Sequence, residues 1–143
     1  MELEDKVYEK IVKLCERGDF LAEQEKYDEA VKIYLEALEL VPFPKEDWEA
    51  STWIYTAIGD SYYMNENYEE AVEYFYDAMN CPDGITNSFI LLRQGQAMYE
   101  LKSFEKAKEF LLRAYMLDGK EIFKSEEKKY FKFLKKNVEG IYN

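Results

Sequence analysis

The sequence has no histidine, and only two cysteines, three prolines and six glycines occur among its 143 residues. Without histidine the chain lacks the side chain that most often serves as a general base near neutral pH and as a metal ligand. Cys15 and Cys81 are far apart and outside any CxxC motif, so they predict reduced thiols and a cytoplasmic location. Scarce glycine and proline argue against long loops without secondary structure.

Long apolar runs are also missing, because no segment approaches the roughly 20 apolar residues that span a bilayer. The acidic N-terminal decapeptide MELEDKVYEK does not have the composition of a signal peptide. Basic residues are few, since 19 of them stand against 30 acidic residues and give a net charge of −11. We therefore expect neither nucleic acid nor an anionic membrane as a partner, because phosphates repel such a surface.

Apolar residues recur at spacings of three and four along almost the whole chain, and the two-residue alternation of strands is absent. The pattern and its breaks predict an all-α chain of seven helices, arranged as three hairpins and a final single helix. Three side chains are candidate N-caps of the helices that follow them: Asp47, either Thr86 or Asn87, and Ser125.

Three segments have similar sequences: KYDEAVKIYLEALELVP, NYEEAVEYFYDAMNCPD and SFEKAKEFLLRAYMLDG, which start at residues 26, 67 and 103. This period is typical of a helical-repeat solenoid. Gly18, Gly59 and Gly95 lie inside helices, where glycine costs roughly 1 kcal/mol relative to alanine. Close approach of the paired helix would offset that cost, with Ala30, Ala71 and Ala107 facing the glycines.

These residues resemble the tetratricopeptide repeat (TPR) family. The residues that fall on the family's signature positions are Leu14, Gly18, Leu21, Ala30, Tyr34, Ala37 and Pro42 in repeat one; Tyr55, Ile58, Gly59, Tyr62, Ala71, Phe75 and Ala78 in repeat two; and Leu91, Gly95, Ala107, Leu111 and Ala114 in repeat three. The resemblance implies a single domain over 1–143, a right-handed superhelical solenoid with repeats at about 3–42, 47–83 and 86–119 and a capping helix at about 125–137. The sequence departs from the family pattern at four positions. Leu21 and Met98 occupy positions that are usually aromatic, Pro82 comes one residue early, and Gly119 replaces the usual proline.

In proteins similar to this family, the first helix of each hairpin lines a concave binding surface. The resemblance therefore implies partner-binding residues at the exposed steps of that wall: Asp19, Glu23, Trp53, Thr56, Asp60, Tyr63, Met64, Phe89, Arg93, Gln96, Tyr99 and Glu100. Alternatively, some of these aromatic rings pack between repeats. The family members that grip carboxylate tails use lysine and asparagine at two steps that here hold Cys15 and Asp19, which disfavours that ligand.

Charge adds a further expectation about the partner. Between Glu46 and Leu92 there are ten acidic residues and no basic one, so an acidic surface carrying aromatic rings would steer a basic partner. The alternative is an acidic surface that serves solubility. Trp48 lies in an unusually long connection between repeats one and two. This connection is either a longer loop followed by an early start of the third helix, or an aromatic surface next to the concave binding surface.

The sequence contains no phosphate-binding loop, metal motif or cofactor motif, so we predict no enzyme and no cofactor. The predicted function is a non-catalytic module that binds a basic protein or peptide, as an adaptor or chaperone. One alternative is an immunity protein that neutralises a toxin, because the tail LDGKEIFKSEEKKYFKFLKK is similar to small bacterial TPR proteins of toxin–immunity loci. The other is a self-assembling structural protein, although a monomer is favoured over a homodimer.

Overall fold

The computed structural model describes residues 2–141, and within them the chain forms seven α-helices and no β-strand. The helices are α1 (Asp5–Glu23), α2 (Tyr27–Glu39), α3 (Glu49–Met64), α4 (Tyr68–Met79), α5 (Ser88–Glu100), α6 (Phe104–Asp118) and α7 (Lys128–Asn137). Short 3-10 turns lie in the longer connections at Lys45–Asp47, Gly84–Thr86 and Gly119–Phe123. The all-α prediction is confirmed.

The chain divides into two compact units, residues 1–84 with α1 to α4 and residues 85–143 with α5 to α7. In the first unit Ile11, Ile54 and Ile58 are fully buried in one apolar core. In the second, Tyr130 and Leu134 bury the inner face of α7, while Phe131 and Phe133 are half-buried. The amphipathic capping helix expected near 125–137 is therefore present as α7.

The same turn joins the two helices of each hairpin. Glu25, Glu66 and Lys102 adopt left-handed φ values of 62°, 63° and 64°. The residue after each of them donates its N–H to the carbonyl five residues earlier, at 2.8 to 2.9 Å. This 6→1 hydrogen bond satisfies one of the carbonyls that a helix end leaves open. Three copies of one turn give the three hairpins the same local geometry.

The three helical glycines are points of close helix contact, as the sequence predicts. A β-carbon placed on Gly18 would lie 2.5 Å from Cε1 of Tyr34, and one on Gly59 would lie 2.8 Å from Cε1 of Phe75. On Gly95 it would lie 2.7 Å from Cδ2 of Leu111. Each distance is well inside van der Waals contact, so no larger residue fits without moving the partner side chain.

Of the predicted N-caps, only the one before α5 is confirmed. The Asn87 carboxamide accepts hydrogen bonds from the backbone N–H groups of Phe89 and Ile90, at 3.0 and 3.2 Å. The other two predictions are wrong, because Asp47 lies in a 3-10 turn, and Trp48 precedes α3 without a side-chain cap. Likewise α7 begins three residues after Ser125, and the residue at its N-cap is Glu127, whose side chain makes no capping hydrogen bond.

Candidate functional site

Asp19 and Glu23 are exposed on α1, as the groove prediction requires. Asp19 also has a structural contact, because the hydroxyl of the buried Tyr34 on α2 donates a hydrogen bond to its carboxylate at 2.5 Å. Burial raises the pKa of Tyr34, and the hydrogen bond to Asp19 adds to the effect. Asp19 thus presents negative charge at the surface and ties α1 to α2.

The residues predicted on α3 differ in what they offer a partner. Trp53 and Met64 are 44% and 48% exposed, so they present large apolar area to solvent. The Thr56 hydroxyl donates a hydrogen bond to the carbonyl of Thr52 at 2.6 Å, so its proton is already used within α3. Asp60 and Tyr63 are half-buried.

Asp60 and Tyr63 each have neighbours within the first unit. The charge of Asp60 contributes, after burial and Glu25, to raising the pKa of Tyr27 on α2. The Tyr63 ring meets Tyr68 edge to face, with centroids 5.5 Å apart. Tyr63 is therefore packed against the first residue of α4, and part of the side chain of both Asp60 and Tyr63 remains at the surface.

A cavity of about 590 Å³ lies where the N-terminal ends of α1 and α3 meet. Its walls carry four carboxylates and three aromatic rings, and the lining residues are Glu2, Leu3, Asp5, Tyr8, Asp47, Trp48, Glu49, Ala50 and Trp53. The rings of Tyr8 and Trp53 meet edge to face at 6.2 Å. Among the described residues the buried Nε1–H of Trp48 has no hydrogen-bond acceptor. Carboxylates next to aromatic faces suit an ammonium or guanidinium group.

The repeat pattern of the sequence predicts only a small part of this cavity. The repeat spacing assigns groove positions in the body of each first helix, so only Trp53 was among the candidates. Two signals in the sequence point to the rest: the acidic N-terminal decapeptide and the aromatic Trp48 in the long connection. The connection is indeed longer, with a 3-10 turn ahead of α3, and Trp48 lines the cavity together with Trp53.

In the second unit, Arg93 and Gln96 are occupied by contacts inside the protein. Arg93 Nη1 lies 2.5 Å from Oε1 of Glu126, and the Gln96 amide Nε2–H donates to the same oxygen at 2.9 Å. Gln96 also accepts a hydrogen bond from Arg93 at 2.8 Å and is 0% exposed. The expectation that Gln96 is exposed is wrong, because the segment ahead of α7 covers it.

Tyr99 and Glu100 pack against α7 as well. The Tyr99 ring meets the rings of Tyr130 and Phe133 edge to face at 5.3 and 5.2 Å. Glu100 accepts a hydrogen bond from the Tyr130 hydroxyl at 2.7 Å and pairs with Lys129 at 2.9 Å. The Tyr99 ring therefore packs against the capping helix α7, whereas the alternative expected such rings to pack between repeats.

The last candidate in this unit, Phe89, lies at the start of α5 and stays exposed. Its ring stacks beneath the guanidinium of Arg93 at 4.9 Å. A partner at this end of α5 would meet an aromatic ring and a cation whose charge is already neutralised by Glu126.

The two thiols are free, and neither is activated. Burial, followed by the charge of Asp19, raises the pKa of Cys15 to about 11. Burial, followed by Asp77, raises that of Cys81 to about 11. Within residues 2–141 no group of three or more acidic or cysteine side chains is placed to hold a metal ion. None of the described helices is both long enough and apolar enough to cross a bilayer.

Comparison with known proteins identifies the repeats. The model of a family described as tetratricopeptide repeat matches residues 10–83. No curated protein matches the sequence.

Solved structures match over most of the chain. The second TPR domain of human RPAP3, in complex with an HSP70 peptide, is 18% identical with a TM-score of 0.70 and coverage of 91% of this chain and 96% of that one. The Yersinia enterocolitica type III secretion chaperone SycD, in complex with a peptide of the translocator YopD, is 16% identical with a TM-score of 0.70 and coverage of 94% of both chains. The first TPR of Spaghetti (RPAP3), bound to an HSP90 peptide, is 21% identical with a TM-score of 0.70 and coverage of 90% of both chains. At these identities the likeness is one of fold.

Proposed function

The chain belongs to the tetratricopeptide repeat family, and we propose that it is a protein-interaction module that holds a basic segment of another protein against its first unit. Three neighbours of the same fold were solved with peptides bound, which supports a peptide- or protein-binding role. The basic character of the segment is inferred from this chain's own residues.

The cavity at the N-terminal ends of α1 and α3 is the observation that carries the proposal. It places the carboxylates of Asp5 and Glu49 in the same wall as the rings of Tyr8, Trp48 and Trp53. A lysine or arginine side chain entering there would meet an aromatic face and an anionic rim together, and desolvated cation–aromatic contacts contribute about 2 kcal/mol. An acidic side chain would be repelled by the carboxylates, and a purely apolar one would contact the rings but leave the carboxylates without a partner.

The charge of the first unit favours the same kind of partner. Residues 1–84 contain 22 acidic and seven basic side chains. Such a field raises the association rate of a basic segment and is screened by salt. Exposed Asp19 and Glu23 on α1, with Asp60 on α3, extend the anionic surface beyond the cavity.

The carboxylate tails of heat-shock chaperones are not the proposed ligand. The two steps that hold lysine and asparagine in proteins of that type hold Cys15 and Asp19 here. The exposed carboxylate of Asp19 would repel a terminal carboxylate.

The proposal is tested by titrating a short lysine-rich peptide into the full chain while following tryptophan fluorescence. In the variant Asp5→Asn/Glu49→Gln, which neutralises two cavity carboxylates, we expect affinity at low salt to fall about tenfold. The control Asp28→Asn/Glu29→Gln removes the same charge from the first turn of α2, outside the cavity, and should change affinity less than about threefold.

Two results would contradict the proposal. Equal losses in the two variants would show that only the overall charge matters. A wild-type chain that binds a glutamate-rich peptide as tightly as the lysine-rich one would remove the preference for a basic partner.

Self-association is a second candidate function, favoured by exposed rings on the first unit. Phe43 is 84% exposed at the tip of the connection ahead of α3, and Phe20 on α1 is also exposed. Light scattering over a dilution series separates the two functions, because a mass that stays monomeric at all concentrations excludes this one.

A further inference from the structure

A cleft of about 460 Å³ in the second unit lies outside all the residues considered so far for partner binding. The 3-10 turn Gly119–Phe123, the segment after it and the outer face of α7 form the cleft. Five of the lining residues are lysines and two are aromatic; the lining residues are Lys120, Glu121, Phe123, Lys124, Glu126, Lys128, Phe131, Lys132 and Lys135.

The rim of this cleft carries positive charge that the protein itself does not neutralise. Among the described residues, Lys120, Lys124, Lys128 and Lys132 have no ion pair. The Glu126 carboxylate in the lining already pairs with Arg93 at 2.5 Å. The lysines therefore outnumber the acidic side chains that remain to balance them.

The floor of the cleft is aromatic. Phe123 is buried, and its ring lies 5.0 Å from that of the half-buried Phe131. Phe131 in turn stacks on Tyr115 of α6 at 6.2 Å, so the floor is anchored to the body of the unit. An inorganic anion would use the lysines and leave this apolar surface uncovered, whereas a ligand with both negative charge and an apolar group would use both.

We propose that this cleft binds an acidic peptide segment of a partner protein, with an apolar side chain of the segment resting on Phe123 and Phe131. Its carboxylates pair with the lysines of the rim. The occupant is a short segment because the cleft is small, about 460 Å³, and combines its lysines with an aromatic floor in that limited space. A long polyanion such as RNA, or an anionic membrane, would use the lysines of the rim along a broad front, whereas an apolar side chain flanked by carboxylates uses the lysines and the aromatic floor together.

The inference is independent of the basic partner proposed for the first unit. The two sites lie in different units, have opposite charge and share no residue. Together they would make the protein an adaptor with one anionic and one cationic docking surface.

The probe for the test is a fluorescein-labelled peptide of sequence DEDFEDE, titrated with the full chain while its fluorescence anisotropy is followed. In Lys128→Glu/Lys132→Glu we expect affinity to fall about tenfold or more. The matched control Lys102→Glu/Lys106→Glu makes the same charge change on the same unit outside the cleft, and should shift affinity less than about threefold. The peptide DEDSEDE, which lacks the apolar side chain, should bind the wild type more weakly than DEDFEDE.

Both variants are chosen to keep the fold. Lys128 is the first residue of α7, where a glutamate is favoured by the helix dipole. Lys132 is exposed on α7. Lys102 has a left-handed φ of 64° in a hairpin turn whose two counterparts already carry Glu25 and Glu66. Circular dichroism of each variant checks that helix content is unchanged.

Four outcomes would overturn the proposal. Equal weakening in both variants would reduce the binding to general charge attraction. Equal affinity for the serine and phenylalanine peptides would remove the apolar contact. Tighter binding of an oligoribonucleotide or of phosphatidylserine vesicles, lost in the cleft variant alone, would assign the cleft to those ligands. A concentration-dependent dimer abolished by Lys128→Glu/Lys132→Glu would assign it to a second copy of this chain.

Discussion

At the scale of single residues, Gly59 determines how closely α3 and α4 approach each other. A β-carbon there would lie 2.8 Å from Cε1 and 2.9 Å from Cδ1 of Phe75, a ring that is fully buried and has no room to move. Gly59→Ala should therefore destabilise the protein by about 1–2 kcal/mol, because overpacking outweighs the roughly 1 kcal/mol that alanine gains in a helix. Urea unfolding followed by circular dichroism measures the change.

The same substitution in a Phe75→Val variant shows whether the contact with Phe75 causes the loss of stability. In Phe75→Val the side chain is too short to reach the added methyl group, so Gly59→Ala should there be neutral or stabilising by up to about 1 kcal/mol. If the substitution costs the same in both backgrounds, Phe75 does not limit the space at this position.

Tyr34 is the second residue whose role can be isolated. Tyr34→Phe keeps the ring against Gly18 and removes only the hydrogen bond to Asp19, so we expect a loss of about 1–2 kcal/mol at neutral pH. Tyr8→Phe removes a more exposed tyrosine hydroxyl and serves as the control, with a change within about 0.5 kcal/mol. Urea midpoints of the three proteins provide the comparison.

The same substitution changes the response to alkaline pH. The pKa of Tyr34 in the folded protein is raised above its ordinary value of 10.0, chiefly by burial. Above that value the unfolded chain loses a proton that the folded chain keeps, so the stability from this group falls as pH rises. In Tyr34→Phe the unfolding free energy should decline less steeply between about pH 9 and about pH 11. If the unfolding free energy of Tyr34→Phe declines with pH as steeply as that of the wild type, Tyr34 does not contribute to the loss of stability at alkaline pH.

At the scale of elements, the contact of α5 with the segment ahead of α7 depends on Glu126. Its carboxylate satisfies Arg93, whose side chain is 11% exposed, and the buried Gln96 amide. Glu126→Ala would leave both groups without that acceptor, so we expect a loss of roughly 2–4 kcal/mol. Its neighbour supplies the control, because the Glu127 side chain is 72% exposed and pairs with Lys129 only at 3.7 Å. Glu127→Ala should cost under about 0.5 kcal/mol.

Thermal and urea unfolding of both variants tests this assignment. If the two substitutions have equal effects, the hydrogen bonds of Glu126 do not hold the segment ahead of α7 against α5. Arg93 and Gln96 would then again be candidates for partner binding.

Helix ends show where sequence reasoning works at this scale. The sequence offers Thr86 or Asn87 as the cap of α5, and Asn87 is the one that caps it, because its position directly ahead of α5 lets the side chain reach the first free N–H groups. Asp47 and Ser125 have equally suitable side chains, yet the 3-10 turn Lys45–Asp47 and the late start of α7 move them out of position. A cap depends on the path of the preceding connection, which the side chain does not determine.

At the scale of the whole molecule, charge repulsion within the acidic half opposes folding. With 22 acidic and seven basic side chains in residues 1–84, raising the concentration of potassium chloride from about 0.02 M to about 0.5 M should increase stability, because salt screens like charges. The urea midpoint should rise, and it should rise less in Asp28→Asn/Glu29→Gln, which removes two of these charges. A midpoint that falls with salt would mean that attractive ion pairs dominate.

The sequence by itself determined the number of helices, the three hairpins and the positions of the three glycines at helix contacts, since each follows from spacing within one or two helices. Tertiary structure decided which predicted surface positions stay open. Gln96 and Tyr99 satisfy the spacing of a binding surface, but residues about 30 positions later cover them. It also decided that Asp5 and Glu49 share one cavity and that Lys120 and Lys132 share one cleft. Periodicity describes one helix at a time, whereas burial and shared charge depend on segments that meet only after the chain has folded.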